Sequence, residues 1–493
     1  MKEAEFRKKI NRILPLVLTH ATDFYGVKHR KDLALILEKI GQKNFTDKCN
    51  EGFKIGQTII LDSLVSIERE ILLLTPQLKE ARVARNENRV GEIIPLIKNL
   101  SLQKAVFQEL ANVIVWTIFK MERTEIKAFM QPGMNNKSLL ESNLKSLIET
   151  ADFYNKQSDK FALISDITSC VGMGDLLVVD TEKNTWSIVE VKEGAINEMI
   201  LEVLSKGNFS QIQKYLNSLT DIKDATNLKK QFDRVVNQHK KATGALEYNK
   251  VGAGTDLFTG RTKKLINLTA IGEKYYSQYI FKAVRKLYSK TAKADEIYFP
   301  FDCGVVGVIK NPSSSKKWDF QHFIYHTVMN PNGRCAYTDF TEEDISVFKH
   351  PEVRQHFNEL RAIPLYEVKD KVYCITHQPI FFHIPKEHAP DLFTEKLAIY
   401  VYFYLDEFID MCNEAGLNPS LENFENSMRG ETKHIRNSVV KFGEKCLVYG
   451  TENKRFEFSN GLFFRIIFEF QTAESVIKQM VGLVEGIVKK ADN

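Results

Sequence analysis

The chain has 493 residues, too many for one ordinary hydrophobic core, since single cores stop growing near about 250–300 residues. A hydrophobic fraction of 43% and a charged fraction of 27% exclude a mainly disordered chain. The net charge of +5, from 68 basic and 63 acidic side chains, is too small a bias at this length to demand or exclude a polyanionic partner.

The basic residues cluster only locally, as at Arg7-Lys8-Lys9, Lys28-His29-Arg30-Lys31, Lys229-Lys230, Lys240-Lys241 and Lys316-Lys317. Each cluster reads as a solvated face or, more sharply, as a set of phosphate contacts. The seven cysteines are scattered singly, with no Cys-x-x-Cys pair, as expected in a reducing compartment. Near the N-terminus only Ile13 to Leu18 is apolar, and Pro15 interrupts it. That is too short for a signal-peptide core or a membrane span, so a cytoplasmic protein with no membrane partner is expected.

From residue 1 to about 135 the pattern is helical. Ile55, Ile59, Ile60, Val65, Ile67, Ile71 and Leu72 recur near a 3.6-residue period, as do Val106, Leu110, Val113, Ile114, Thr117 and Ile118. The turn cluster Gln131-Pro-Gly-Met-Asn-Asn136 marks a boundary. Residues 138–149 then read as a helix opened by a capping box of Ser138 and Glu141. Strands are expected at 161–165, 175–180 and 186–192, the last two joined by the polar turn Thr181–Thr185. A helix or helix pair follows from about 196 to 219, and further helices are expected at 225–248 and 272–290. Beyond them lie apolar runs over 297–309, strands over 372–384 and 447–470, and helices over 391–415 and 472–490.

The chemistry concentrates in the hairpin. Asp175 opens one strand, and Glu190 and Lys192 close the next. The turn brings these strand ends together. Glu190 and Lys192 are two apart and share one face, while Val191 points to the other, toward a core. Charges inside such apolar strands need a partner, because burying them alone is costly. Two carboxylates can share a divalent cation, and hard oxygen donors suit Mg²⁺ or Mn²⁺. A neighbouring lysine can orient a water or offset charge growing on a phosphate.

The tripeptide Glu-x-Lys alone is weak, occurring at Glu125, Glu190, Glu367, Glu431 and Glu452. Glu367-Val-Lys369 even lies in an alternating run, but no acid opens a paired strand before it. Only the Glu190 copy has the order helix, strand, Asp, hairpin and strand. This segment resembles the PD-(D/E)xK nuclease superfamily, with Gly174-Asp175 in the place of its Pro-Asp and Glu190-Val191-Lys192 as its D/E-x-K. Gln211-Ile-Gln-Lys-Tyr215 is similar to the Q-h-x-x-Y helix motif of the RecB-like branch, which includes lambda exonuclease. The likeness covers roughly residues 138–220. Its one departure is Gly174 in place of proline.

The resemblance implies roles for these positions. Asp175 and Glu190 would ligate the metal together with the Val191 carbonyl, and Lys192 would position the attacking water. Gln211 and Tyr215 would steady the site and the nucleic-acid backbone. A further acid often comes from the helix before the first strand, and Glu141 is the candidate, with Glu149 its competitor. Glu141 also reads simply as the capping-box residue.

Other signals are weaker. His322 and His326 are four apart with no third ligand. His377, His383 and His388 flank prolines without a ligand spacing. Gly252-Ala-Gly254 precedes Thr-Asp and is not a phosphate-binding loop.

The expected architecture is α/β. A helical domain over 1–135 precedes a restriction-endonuclease-like core over 136–290, a mixed sheet flanked by helices. A mixed α+β accessory domain occupies 291–493. The expected function is a Mg²⁺-dependent (or Mn²⁺-dependent) deoxyribonuclease, with DNA as partner and antiphage defence, restriction or repair as its setting. A protein partner or a homo-oligomer is compatible with this. The rival reading is a nuclease-fold binding or sensor protein whose C-terminal domain recognises a partner.

Overall fold

The computed structural model describes residues 1–27, 30–121, 125–126, 139–140, 144–172, 174–191, 253–255, 262–264, 274–292, 295–311, 363–364, 379–394, 396–403, 405–427, 441–442, 445–451, 454–457, 462, 465–466 and 470–489. Two compact units divide the chain, Met1–Ile266 and Asn267–Asn493. Both mix helix and strand, and their sheets are small.

The first unit opens with helix α1 (Glu3–Leu14), which buries Phe6, Ile10, Ile13 and Leu14. Pro15 cannot donate to the preceding turn, and the chain widens there into a π-type turn over Pro15–Thr19. Short α2 (His20–Phe24) and α3 (Arg30–Ile40) lead into α4 (Gln42–Val83). At 42 residues α4 is about 63 Å long. The π-turn lies directly on its face: a Cβ added at Gly52 would sit 2.3 Å from the Leu16 carbonyl oxygen, so only glycine admits that approach.

The buried stripe of α4 runs through Phe53, Gln57, Ile60, Leu61, Leu64 and Ile67. Ile55 and Leu72, expected on it, are exposed. The stripe follows the i, i+3, i+4 rule through Gln57, which apolar counting passes over. Helix α5 (Glu87–Ile118) starts from an Asn86 cap and packs against α4. From Val106 to Trp116 every residue of α5 is buried, as in a helix surrounded by its own fold.

Helix α6 (Leu144–Asn155) then leads into strand β1 (Lys160–Ile164). The helix extends beyond the expected end at 149, while Ser138 and Glu141 of the expected capping box lie outside the described residues. Strands β1, β2 (Leu176–Asp180) and β3 (Thr185–Val189) form an antiparallel sheet in that order. β1 pairs Phe161 with Val179, and β2 pairs Leu176 with Val189. Expected and observed strands agree except that β3 stops at Val189 rather than 192. A two-stranded ribbon, β4 (Ala253–Thr255) with β5 (Thr262–Lys264), completes the described part of this unit. The expected helices at 196–219 and 225–248 lie outside the described residues.

Strand β1 has one edge paired with β2, and its other edge is buried. Two side-chain amides close that edge. The Gln57 amide NH₂ donates to the Ala162 carbonyl at 2.9 Å, and its oxygen accepts from the Ile164 N–H at 2.8 Å. Asn155 accepts from the Ala162 N–H at 2.9 Å. A helix side chain thus does what a fourth strand would do, and the backbone groups of the edge are satisfied. Around this point Phe53 meets Phe161 at 5.6 Å, and Lys54 donates to the carbonyls of Asn155 and Gln157. The helices before 119 and the strands after 160 therefore share one core.

In the second unit, α7 (Ser277–Leu287) packs on β6 (Glu296–Phe301) and β7 (Gly304–Lys310), an antiparallel hairpin turning at Asp302-Cys303. β7 continues to β9 (Leu397–Phe403), and β9 to β8 (Ile363–Pro364). The helix expected over 391–415 is three elements: α8 (Ala389–Leu392), β9 and α9 (Leu405–Glu414). Leu-Ala-Ile-Tyr-Val-Tyr-Phe is β-branched and aromatic, and pairing with β7 decides the matter against the helix. Of the strands expected over 372–384, Ile380–Phe382 is a 3₁₀ turn; residues 371–378 lie outside the described set. A second sheet joins β10 (Ser420–Asn423), β11 (Lys441–Phe442), β12 (Lys445–Thr451) and β13 (Lys454–Glu457), with the short α10 (Phe424–Ser427) after β10. Helix α11 (Ala473–Lys489) matches its expected range, and its Glu474 N–H is capped by Asp302 at 2.8 Å. Among the described residues, no helix is long and apolar enough to cross a membrane.

The β1 edge yields a stability prediction. Gln57→Ala leaves the Ile164 N–H buried without its acceptor and opens a small cavity, and should cost about 2–4 kcal/mol in urea unfolding. Thr58→Ala, one residue along on the exposed face, should stay within about 0.5 kcal/mol of the parent. Equal midpoints for the two variants would show that the amide does not close the sheet.

Candidate functional site

The site is built at the open end of the β2–β3 hairpin. The ladder ends at the Leu176–Val189 pair, and Asp175 and Glu190 are the residues that flank it on the two strands. The polar turn Thr181–Asn184 at the far end fixes this register, with Asn184 at a φ of +49° and the Lys183 N–H bonded to the Asp180 carboxylate. Thr181 is tied down as well: its hydroxyl donates to Asp47 of α4 and its N–H to the Asp159 carbonyl.

Every polar part of Asp175 that the backbone can reach is used. Its N–H donates to the Val189 carbonyl at 3.0 Å, and its carbonyl accepts from the Ser165 N–H at 2.9 Å. Its carboxylate Oδ2 accepts from the Val191 N–H at 2.6 Å. That is a short, charge-assisted bond, and it fixes the carboxylate toward the Glu190-Val191 segment. Glu190 is half-buried, and its Oε2 atom has essentially no solvent exposure. Val191, expected to enter a core, is only half-buried; its backbone is the part that works.

Gly174 explains the departure from Pro-Asp. Its φ is +71°, in the left-handed region, whereas proline is fixed near about −65°. A Cβ here would lie 2.0 Å from Ile188 Cγ2. Glycine lets the chain turn sharply into β2 and lets Ile188 close over it.

The approach to Asp175 is held from behind by α5. Asn112, fully buried, donates to the Ser169 hydroxyl at 2.7 Å and accepts from the Ser169 N–H at 3.0 Å. Buried Glu109 lies 3.4 Å from the same amide nitrogen. The adjacent Cys170 thiol is pushed well above its usual pKa, by burial first and then by the Glu109 carboxylate. It is therefore no nucleophile at neutral pH. The Phe119 and Trp186 rings meet edge to face at 5.4 Å and join the end of α5 to β3.

Of the residues expected in the site, Asp175, Glu190 and Val191 are brought together. Lys192, Gln211, Tyr215 and Glu141 lie outside the described residues. Glu149 does not join the pair: it is exposed and faces Lys145 at 3.9 Å on its own helix. Leu144 and Ile148 line a groove against Leu61, Val65 and Arg69 of α4. Of the histidines read as structural, His383 is buried against Phe470, and His388 stacks on Tyr288. Among the described residues, no three His, Cys, Asp or Glu side chains converge as a metal cluster.

Sequence reasoning missed Gln57, Asn112 and Asn155, the residues that hold the site's frame. A signal existed, since each is an amide placed on an otherwise apolar helical stripe.

The Gly174 geometry is testable. Gly174→Ala should destabilise the protein by about 1–3 kcal/mol through backbone strain alone. Gly174→Pro, which would recreate a Pro-Asp dipeptide, should cost about 3 kcal/mol or more. Ile188→Ala should recover part of the alanine variant's loss in a double-mutant cycle on urea midpoints. A proline variant as stable as the parent would contradict the left-handed turn.

Compared with protein-family models, with curated proteins and with solved structures, the chain matches none.

Proposed function

We propose that the chain is a metal-dependent nuclease that hydrolyses phosphodiester bonds of DNA, with Asp175 and Glu190 at its centre. The observation that supports this reading is the hydrogen bond from the Val191 N–H to the Asp175 carboxylate, which brings Asp175 to the Glu190-Val191 segment at the hairpin mouth. Two carboxylates are costly neighbours at a partly buried position, and a divalent cation between them relieves that cost. Their donor atoms are hard oxygens, which fit Mg²⁺ or Mn²⁺ better than a softer metal. When bound, such an ion supplies charge neutralisation at a phosphate and makes a coordinated water more acidic.

The protein's own contributions would be these. Asp175 and Glu190 would hold the cation and, as the sequence resemblance implies, the Val191 carbonyl would join them. The Val191 N–H keeps the Asp175 carboxylate from rotating away. Lys192, two residues from Glu190, orients the attacking water. Gln211 and Tyr215 contact the phosphate backbone, and Glu141 adds an acid from the preceding segment. These last four assignments rest on the sequence resemblance.

The test pairs linear with covalently closed circular DNA in Mg²⁺. Asp175→Asn and Glu190→Gln should each lower cleavage by about 10³-fold or more, equivalent to about 4 kcal/mol of transition-state stabilisation. Calorimetric titration with Mn²⁺ gives a second readout, and the double variant should lose the binding isotherm. Retained Mn²⁺ affinity there would move the metal elsewhere. Lys192→Ala should abolish cleavage while Lys369→Ala leaves it within about twofold of the parent. The reverse result would assign the chemistry to the other Glu-x-Lys.

A further inference from the structure

The sequence from Lys274 to Ala294 contains no acidic residue, yet it holds Lys274, Lys282, Arg285, Lys286, Lys290 and Lys293. Helix α7 lies inside it and sorts its residues cleanly. Ile280, Ala283, Val284 and Leu287 are buried, where α7 packs on β6 and β7. Tyr279, Lys282, Arg285 and Lys286 are exposed on the other side, at spacings of three, three and one that keep them on one outward face.

Aromatic rings are interleaved with these charges. Lys282 Nζ lies 5.8 Å from the Tyr279 ring centre, and the Arg285 guanidinium 4.6 Å from that of Phe281. Beyond the end of the helix, Lys310 Nζ of β7 stands 4.9 Å from the Tyr288 ring. That ring stacks on His388 at 3.9 Å with a 17° interplanar angle. Tyr279 meets Phe299 of β6 at 5.7 Å yet keeps 47% of its surface exposed.

Some cations of the chain are ion-paired. Lys274, at the start of the same acid-free segment, is neutralised by Glu474. Lys43, Lys48, Arg89 and Lys104 each have a carboxylate partner. Among the described residues, Lys282, Arg285, Lys286, Lys290 and Lys310 form no ion pair with a carboxylate. Burial holds the His388 pKa below its ordinary value, and the charges of Glu387, Asp391, Arg285 and Lys310 all act on it.

We propose that this outward face of α7, with Lys310 beside it, binds single-stranded nucleic acid, the cations tracking phosphates and Tyr279 stacking on a base. Uncompensated charge beside an exposed ring is the combination that a flexible, unpaired strand satisfies: every base has a π-face, and every linkage a negative charge. Successive cations at Lys282 and Lys286 lie about 6 Å apart along the helix axis, within reach of neighbouring phosphates. A lipid surface fits less well, because the apolar face of α7 is already buried against the sheet and cannot enter a bilayer. The proposal does not rest on the Asp175–Glu190 chemistry.

The experiment is fluorescence anisotropy of the full-length protein in EDTA with a fluorescein-labelled oligothymidylate of about 20 nucleotides. Charge reversal of Lys282, Arg285 and Lys286 to Glu should weaken binding at least tenfold and reduce the log–log salt slope by about 2. The gentler set with all three changed to Gln should move both quantities in the same direction, which separates lost contacts from a folding defect. Tyr279→Ala should weaken binding about 5- to 100-fold with the salt slope unchanged. Unchanged affinity and slope in the charge variants would overturn the proposal. So would Tyr279→Ala binding like the parent, or charge-dependent co-sedimentation with phosphatidylserine vesicles in place of oligonucleotide binding. Loss of DNA cleavage in Asp175→Asn with oligonucleotide binding intact would separate the two readings.

Discussion

The first unit depends on a buried sheet edge that no strand covers. A three-stranded antiparallel sheet has two edges, and the N–H and C=O groups of β1 point from one of them into α4 and α6. Unsatisfied there, each would cost about 1–3 kcal/mol. Gln57 and Asn155 remove that cost with side-chain amides, which carry a donor and an acceptor in the geometry of a peptide group. This choice explains why α4 approaches so closely. A long helix can lie along the edge of a sheet only if its contact residues are polar where the backbone is polar and apolar elsewhere. Phe53, Ile60 and Leu61 on either side of Gln57 meet that requirement.

The same substitution of side chain for main chain occurs at the hairpin mouth. Past Val189 the ladder between β2 and β3 ends, and the next N–H, that of Val191, is taken by the Asp175 carboxylate. Asp175 can turn inward because Gly174 precedes it in a left-handed conformation that Ile188 covers. On the opposite side of the approach, Asn112 binds both polar groups of Ser169. The segment carrying Asp175 is thus held by three elements of different kinds: a hairpin, a glycine turn and a buried amide on α5.

Much of this was legible in the sequence, and the reasons differ by element. The hairpin was readable because alternating apolar runs flank a polar turn, so its register followed from the turn alone. Strands β1 and β2 were placed within a residue. The end of β3 was not, because it depends on where a side chain competes with the ladder. The span 391–415 misled because Leu397–Phe403 has enough apolar residues to suit a helix, and only β7 beside it makes it a strand. Gln57, Asn112 and Asn155 stand out as amides on apolar stripes, but what each one holds is settled only by the backbone it satisfies. The cation face of α7 also needed the structure, since composition records the three charges of the helix but not that their neighbours on the far side are buried.

Asp175 carries two loads, and they constrain how its chemistry can be separated from its structure. Its backbone N–H and carbonyl tie β2 to β3 and to Ser165, and its carboxylate closes the Val191 N–H. Removing the side chain would leave that N–H without its acceptor and loosen the mouth of the hairpin, so lost activity in an alanine variant would report on both loads. Asparagine is different. Its carbonyl oxygen can still accept from Val191, while the negative charge and one anionic oxygen are gone. Any cation held between Asp175 and Glu190 responds to that charge, whereas the hairpin responds mainly to the hydrogen bond. A variant that folds like the parent yet no longer binds Mn²⁺ would place the function of Asp175 in its charge, and the strand ends would then be a frame built to present it.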